Sequence, residues 1–388
     1  MKNPSKTKIL IQFFTLCLMV IGVSYLISSI WVQKKEEIPE KQVLFFAESM
    51  TLAEFGVKNN LSTRILQEVF ELKDKKGLQK QVNAFNATEE RISSKVDKIL
   101  AVEAEHGSKN WQKILLKFIL WFVICGVAFY LMRRGKITPE VRKILYFSSL
   151  VIFGVILGAD PSAMGTVKDA IGLYAEKGVI FPPRMIALTV FLLIVLLANK
   201  FFCGWACQIG TLQDLIFRLN RNKKDRKGVF KQVKLPFVVT NTIRVLFFAI
   251  FTVVSFVWAL DIIEFIDPFK IYKPGKIEVM GWVFMGGLLV LSIFVYRPWC
   301  TMFCPFGLVG WLVEKLAVFK IKVDYDKCTA CQSCAKACPT TAMDSILKRD
   351  KVIPDCFACG TCLESCKSGA LTFSFGKRLQ PPAKKFDR

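Results

Sequence analysis

Six apolar blocks, at residues 9–31, 111–132, 144–159, 185–203, 236–260 and 279–296, constrain this chain more than any other feature. A helix crosses a bilayer with about 20 largely apolar residues, and roughly 17 is the lower limit. The first block has 23 residues without a charge, whereas several others have charge-free cores of only 15 to 18. With 53% hydrophobic residues and a mean hydropathy of +0.40, the pattern predicts an α-helical polytopic membrane protein of about six transmembrane helices. The basic start MKNPSKTK would suit a secretory signal. Its apolar part is too long for one and no A-x-A-like site follows, so residues 1–31 read as an uncleaved anchor.

The net charge of +23 raises the question of nucleic acid, and its distribution answers it. RRGKITPEVRK (133–143) and RLNRNKKDRKGVFKQVK (218–234) together hold thirteen basic and two acidic residues, whereas loops 160–183 and 261–278 hold five and seven. Basic residues collect on cytoplasmic loops. The asymmetry predicts an inner-membrane protein with both termini in the cytoplasm and residues 32–110 outside. The basic runs read as topology signals against anionic lipid, with no nucleic acid involved.

The extracytoplasmic stretch 32–110 has no cysteine and the sole histidine, His106. SMTLAEFGVKNNLSTRILQEVFELKDKKGL predicts two short helices, with Thr51 and Glu54 at capping-box spacing. His106 reads as a solvated surface residue. One histidine rules out a haem held by two histidines of this chain and any histidine-rich zinc or copper site.

Of fourteen cysteines, Cys17 and Cys125 fall inside apolar blocks and read as buried hydrophobes. The other twelve map to the cytoplasmic side, opposite to the placement in a disulfide-bonded secreted protein. CTACQSCAKACP (Cys328, Cys331, Cys334, Cys338) and CFACGTCLESCK (Cys356, Cys359, Cys362, Cys366) repeat the C-x2-C-x2-C-x3-C spacing of bacterial two-cluster ferredoxins. Structural zinc is the competing use of eight such thiols. The fourth cysteine of each run ligates the other cluster, so Cys328, Cys331, Cys334 and Cys366 form one [4Fe-4S] ligand set. Cys338, Cys356, Cys359 and Cys362 form the second. FKIKVDYD before and ALTFSF after read as short strands closing a ferredoxin-like α+β domain over 320–376, followed by a basic tail, 377–388. Lys367 stands where the second run would have a proline.

A further pair of motifs lies in the membrane domain, residues 111–319: FCGWACQIG with Cys203 and Cys207, and WCTMFCPFG with Cys300 and Cys304. At an offset of 97, Lys200 matches Arg297, Phe202 matches Trp299, Gly210 matches Gly307 and Leu215 matches Leu312. Each half also has an outer Asp-Pro, at Asp160 and Asp267. We read an internal duplication. Cysteines four apart on one helix share a face, so four thiols can converge. A soft metal, an iron–sulfur centre, a reversible dithiol and plain helix packing all remain open for them. Gln208 replaces the Pro305 of the second motif.

Two Cys-x3-Cys motifs followed by a double [4Fe-4S] tail resemble the NapH/NosR-type membrane ferredoxin-type proteins of anaerobic respiration, over roughly residues 140–376. The resemblance implies an electron carrier or quinol dehydrogenase component, with quinone or quinol on one side and a partner reductase or its maturation system on the other. The flavin-binding domain of the larger NosR-type members is not found outside the membrane. The alternatives are a biogenesis factor supplying electrons to a metalloenzyme under assembly, and a membrane-tethered sensor. Quinone chemistry moves protons, which makes Asp160, Asp261, Glu264 and Asp267 candidates, with ordinary loop charge as the competing reading. Arg244, inside an apolar block beside Asn241, either snorkels or faces a headgroup or the thiols. PFGLVGWLVEKLAVF reads as an amphipathic helix on the inner surface, with Trp299 and Trp311 as interface anchors.

Overall fold

The computed structural model describes residues 5–28, 44–47, 49–72, 74–85, 88–222, 225, 228–383 and 385–386. The end of the first apolar block and Lys223, Lys224, Arg226 and Lys227 of the second basic run lie outside these.

Among the described residues, three helices are long and apolar enough to cross a membrane: α1 (Lys6–Ser28), α5 (Trp111–Arg133) and α11 (Phe237–Trp258). Between α1 and α5 the chain forms α2 (Leu52–Lys58), α3 (Thr63–Val69) and α4 (Glu89–Gly107). Thr51 and Glu54 close the capping box that starts α2, each side chain bonding the other's backbone N–H. These helices bury their own apolar cluster around Leu52, Phe55, Leu66 and Val96.

The remaining blocks are shorter as helices. α6 (Pro139–Ser149) continues as a π-helical stretch, Leu150–Ile156. There the ring of Tyr272 lies so close that a Cβ on Gly154 would come within 2.4 Å of it. α7 (Ala163–Lys177) fills what the sequence suggested was an outer loop and packs against α11 and the helix that follows it, α8 (Pro182–Ala198). α12 (Ile262–Ile266) precedes α13 (Val279–Phe294). The 17 residues of α8 start at a Pro-Pro pair and stop at Asn199, whose φ of +60° ends the helix; α13 has 16.

The C-terminal region closes with one antiparallel pair, β1 (Phe319–Val323) on β2 (Leu371–Phe375), in the register Ile321 opposite Phe373. Between the strands lie α16 (Ser333–Ala337), α17 (Ala342–Lys348) and α18 (Thr361–Ser365). In numbering along the chain, α9, α10, α14 and α15 belong to the cysteine motifs and are described with them.

Candidate functional site

The C-terminal cysteines separate into two groups, each lining its own cavity. One cavity is walled by Cys328, Cys331, Cys334 and Cys366, the other by Cys338, Cys356, Cys359 and Cys362. Each wall holds four thiols, the donor number a [4Fe-4S] cubane takes. The first group reaches the surface at the exposed Cys331, whereas Cys362 of the second is buried. Desolvation opposes ionisation of Cys359, yet the nearby Arg218 and Arg142 guanidinium groups pull its thiol below the ordinary range. No three described His, Cys, Asp or Glu side chains gather tightly enough for one metal ion.

Each membrane motif folds as a short helix, a break and a second helix. α9 (Phe201–Trp205) and α10 (Gln208–Leu219) flank the first break, and α14 (Pro298–Met302) and α15 (Pro305–Glu314) flank the second. The expected single helix is therefore corrected. Ala206 and Phe303 leave helical geometry at near-identical angles, and Cys207 and Cys304 become N-caps of the following helices. Neither side chain makes a capping hydrogen bond there. All four thiols are buried, and Cys203 lies within charge reach of Cys207, Cys300 and Cys304.

The halves also hold each other. Arg297 of the second half donates from Nη1 to Cys203 O (2.5 Å) and from Nη2 to Gly204 O (3.0 Å). Lys200, its match in the first half, donates to Gly307 O (2.6 Å). Gly210 and Gly307 lie equivalently, each with room for no Cβ, since one would stand 2.5 Å from the carbonyl of Cys203 or Cys300.

Each crossed cation needs a buried anion. Arg297 has Asp214 of α10, 2.6 Å from Nη2, which also takes Arg218 Nε and Tyr296 Oη at 2.5 Å. Lys200 has Asp355, next to Cys356, and Arg244 Nη1 joins it at 3.0 Å. Arg244 thus faces the thiol site, with Asn241 Oδ1 at 2.7 Å, and does not snorkel. The C-terminal region is seated directly on the motifs. Phe357 carries Arg297 at 4.8 Å and Lys200 at 5.6 Å from its ring centre, and its carbonyl lies where a Cβ of Gly204 would be. Trp205 Nε1 donates to Ala358 O at 3.0 Å.

Parts of the basic linkers serve this joint rather than lipid. Arg142 donates to Cys359 O at 2.8 Å, Arg221 to Ala337 O at 3.3 Å and Lys234 to Ala335 O at 2.7 Å; Arg142, Arg218 and Arg221 are buried, with Asp225 between them. Trp299 is buried against Phe284 and Phe303, and Trp311 donates to Ile353 O at 3.1 Å. Neither is the expected free interface anchor. The first turns of α15 are buried as well, leaving little of an inner-surface helix.

The candidate carboxylates collect elsewhere. Asp160, Asp261, Glu264 and Asp267 all line a polar cavity of about 320 Å³. Lys168 sits among Glu264 (2.8 Å), Asp261 (2.9 Å) and Asp267 (3.9 Å), and Lys273 lies 2.5 Å from Asp160. Burial pushes the Asp267 carboxyl up to about 7, with Lys168 drawing the other way. At Asp160 partial burial also opposes ionisation, but Lys273 wins and holds the carboxyl below its ordinary range. Of the proposed quinone-site residues, the three aspartates therefore share one cavity and Arg244 stands apart.

Sequence reasoning missed Asp214, Asp355 and Phe357. It also missed Lys113 and Lys117, buried cations within α5. Lys117 Nζ donates to Gly158 O at 2.7 Å over the Trp121 ring. Two lysines four residues apart in a span were the available signal, because a charge there needs a polar partner.

Comparison with known proteins fits this geometry. A 4Fe-4S binding domain family matches at 180–227 and again at 278–324, so the duplicated unit carries the same family twice, and a 4Fe-4S dicluster domain matches 320–367. Similar proteins include YccM of Escherichia coli strain K12, assigned by its name to electron transport, at 31% identity over 51% of this chain and 57% of its own length. The ferredoxin-type protein NapH of the same organism is 28% identical over 50% of this chain and 69% of its own. The regulatory protein NosR of Stutzerimonas stutzeri is 30% identical over 39% of this chain and 21% of its own. The chain thus spans little more than half of YccM. No solved structure matches it.

Proposed function

From the premise that this is a ferredoxin-type 4Fe-4S protein of the NapH/NosR type, we propose that it carries single electrons between a lipid-phase quinone and a cytoplasmic redox partner in anaerobic respiration. In this reading about six segments lie in the inner membrane, both termini are cytoplasmic and residues 32–110 are extracytoplasmic. Cys328, Cys331, Cys334 and Cys366 hold one [4Fe-4S] cluster, and Cys338, Cys356, Cys359 and Cys362 hold another. Cys203, Cys207, Cys300 and Cys304 hold a third metal or iron–sulfur centre. Bound clusters supply one-electron storage; the protein supplies position, charge and exclusion of water.

The observation that carries this reading is the joint at Phe357. It brings the residue beside Cys356 onto the crossed Lys200–Arg297 pair that clamps the membrane thiols. In this reading the three cysteine groups act in series, from the motif thiols through the set beside Phe357 to the set with the exposed Cys331. Lys200, Arg244 and Arg297 bring more buried positive charge around the quartet than Asp355 and Asp214 balance, since Asp214 also serves Arg218. That surplus suits an anionic thiolate centre.

The test is anaerobic purification in detergent, with iron counting and EPR during a redox titration. About eight irons per chain match the two ferredoxin-type sets, and an excess lost in Cys203→Ser and Cys300→Ser supports the third centre. A reduced quinol analogue should then reduce the clusters repeatedly in the presence of a soluble acceptor. Reducible clusters without quinol turnover would instead identify an assembly factor.

A further inference from the structure

A second outer cavity, of about 110 Å³, lies between the first turns of α5, α7 and α8. Its walls differ from those of the carboxylate-rich cavity beside it. Trp111, Phe118 and Phe181 supply aromatic faces and Ala187 an aliphatic floor, with Lys113 and Asp160 among the polar groups at its edge. Asp160 lines both cavities, as Asp169 does, so its carboxylate borders an apolar slot on one side and a polar, charged space on the other. We propose that this slot seats the ring of the quinone, with Asp160 passing its protons to and from the polar cavity. The proposal rests on the quinone partner of the proposed function and adds the site.

Three observations carry it. A planar ring with two oxygen acceptors needs flat apolar walls and a few polar groups, and the slot has that mixture. Its edge is built from helix N-terminal turns, whose N–H groups favour oxygen carrying partial negative charge. Most specific is the route inward. The residue before Asp160, Ala159, accepts a 2.8 Å hydrogen bond from Gln208 Nε2, and Gln208 follows Cys207. Tyr272 Oη donates to Gln208 O at 2.9 Å, and Lys117 holds Gly158 O, so the 158–160 turn is fastened against the thiol motif. The duplicate motif has Pro305 at this position, which has no side-chain donor, so only the first half makes the connection. The departure of Gln208 from the repeat is thereby accounted for.

The reaction balances as follows. One quinol becomes one quinone by releasing two electrons and two protons. The electrons leave singly to the iron–sulfur centres of the proposed function, and the protons leave one after the other through the Asp160 carboxylate to the polar cavity. Quinone reduction runs the same steps in reverse.

The test uses the full chain in nanodiscs. An azido-substituted quinone analogue should crosslink, on illumination, to peptides covering 109–118 and 181–187, and excess unlabelled quinone should abolish the labelling. Ala187→Trp, which fills the slot, should lower the rate of cluster reduction by quinol at least tenfold and remove the crosslink, with dithionite reduction and iron content unchanged. Asp160→Asn should slow reduction by quinol and shift its pH profile. Crosslinks mapping elsewhere, or an Ala187→Trp rate within twofold of wild type, overturn the site and leave the quinone reading standing. A wild-type protein that dithionite reduces and quinol does not overturns both.

Discussion

The two halves of the membrane domain fold their cysteine motifs alike and anchor them differently. Both break the chain after a five-residue helix, both use the second cysteine as an N-cap, and both receive a cation from the other half. The cation of the second half is neutralised by Asp214 within the membrane domain, whereas that of the first is neutralised by Asp355 of the C-terminal region. Gln208 ties the first motif to the outer turn, and Pro305 makes no such tie. Duplication set the geometry, and later divergence put one motif in contact with each side.

This difference can be broken deliberately. The largest effect is expected from Asp214→Ala, which strands Arg297 in the interior and leaves Arg218 with Asp225 alone; removing one partner of a buried pair costs roughly 3–5 kcal/mol. Thermal unfolding in detergent should fall steeply; Asp355→Ala, which strands Lys200 and Arg244, should lower it comparably and, unlike Asp214→Ala, also free the C-terminal region and raise protease cleavage near residues 315–320. Equal protease cleavage in the two variants would mean that the anchors are equivalent. Gly204→Ala comes next. Its Cβ would stand 2.2 Å from Phe357 O, so we expect about 1–3 kcal/mol of strain. The matching Thr301 already carries a side chain, so Thr301→Ala should change little. If Gly204→Ala leaves the melting temperature intact, the joint is looser than described.

The outer Asp-Pro pair sharpens the contrast through pH. The folded Asp267 carboxyl, pushed up to about 7, holds a proton that the unfolded chain has lost above about pH 4. Stability should therefore decline as pH rises from about 4 to about 7, by at most about 1.4 kcal/mol per unit, and Asp267→Asn should flatten the slope. Asp160 has its shift in the opposite direction and contributes a slope of opposite sign. The smallest expected effect is that of Gln208→Pro, which makes the motifs match. Proline suits the first position of a helix, so only the Ala159 hydrogen bond is lost, about 1 kcal/mol. Iron content should hold, while reduction by quinol slows.

What the sequence made legible were spacings. C-x2-C-x2-C-x3-C sorted eight cysteines into the two groups that line separate cavities, and the offset of 97 matched Lys200 with Arg297 before either had a partner. Spacing did not reveal how the groups meet. Asp355 lies 155 residues from Lys200 and 111 from Arg244, and no local pattern announces such pairs. The helix break was missed because four-residue spacing suits a continuous helix equally well. Gly210 and Gly307, which allow the chain to fold back on the preceding cysteine carbonyl, were seen as matched residues but not as the cause. The basic linkers were read as a topology signal, whereas the burial of Arg142, Arg218 and Arg221 depends on a surface supplied from elsewhere in the chain.

The seat of Phe357 on the crossed cations also imposes an order on biosynthesis. Synthesis completes the quartet motifs some fifty residues before the segment that covers them. If the four motif thiols hold the proposed third centre, it would have to be loaded in that interval, while Asp355 and Phe357 are still absent or undocked. Once the strand at 371–375 pairs and pulls the segment down, the doorway is shut. On that proposal loading is a matter of timing during translation, and a finished chain without its centre would have to undock its C-terminal segment to accept one.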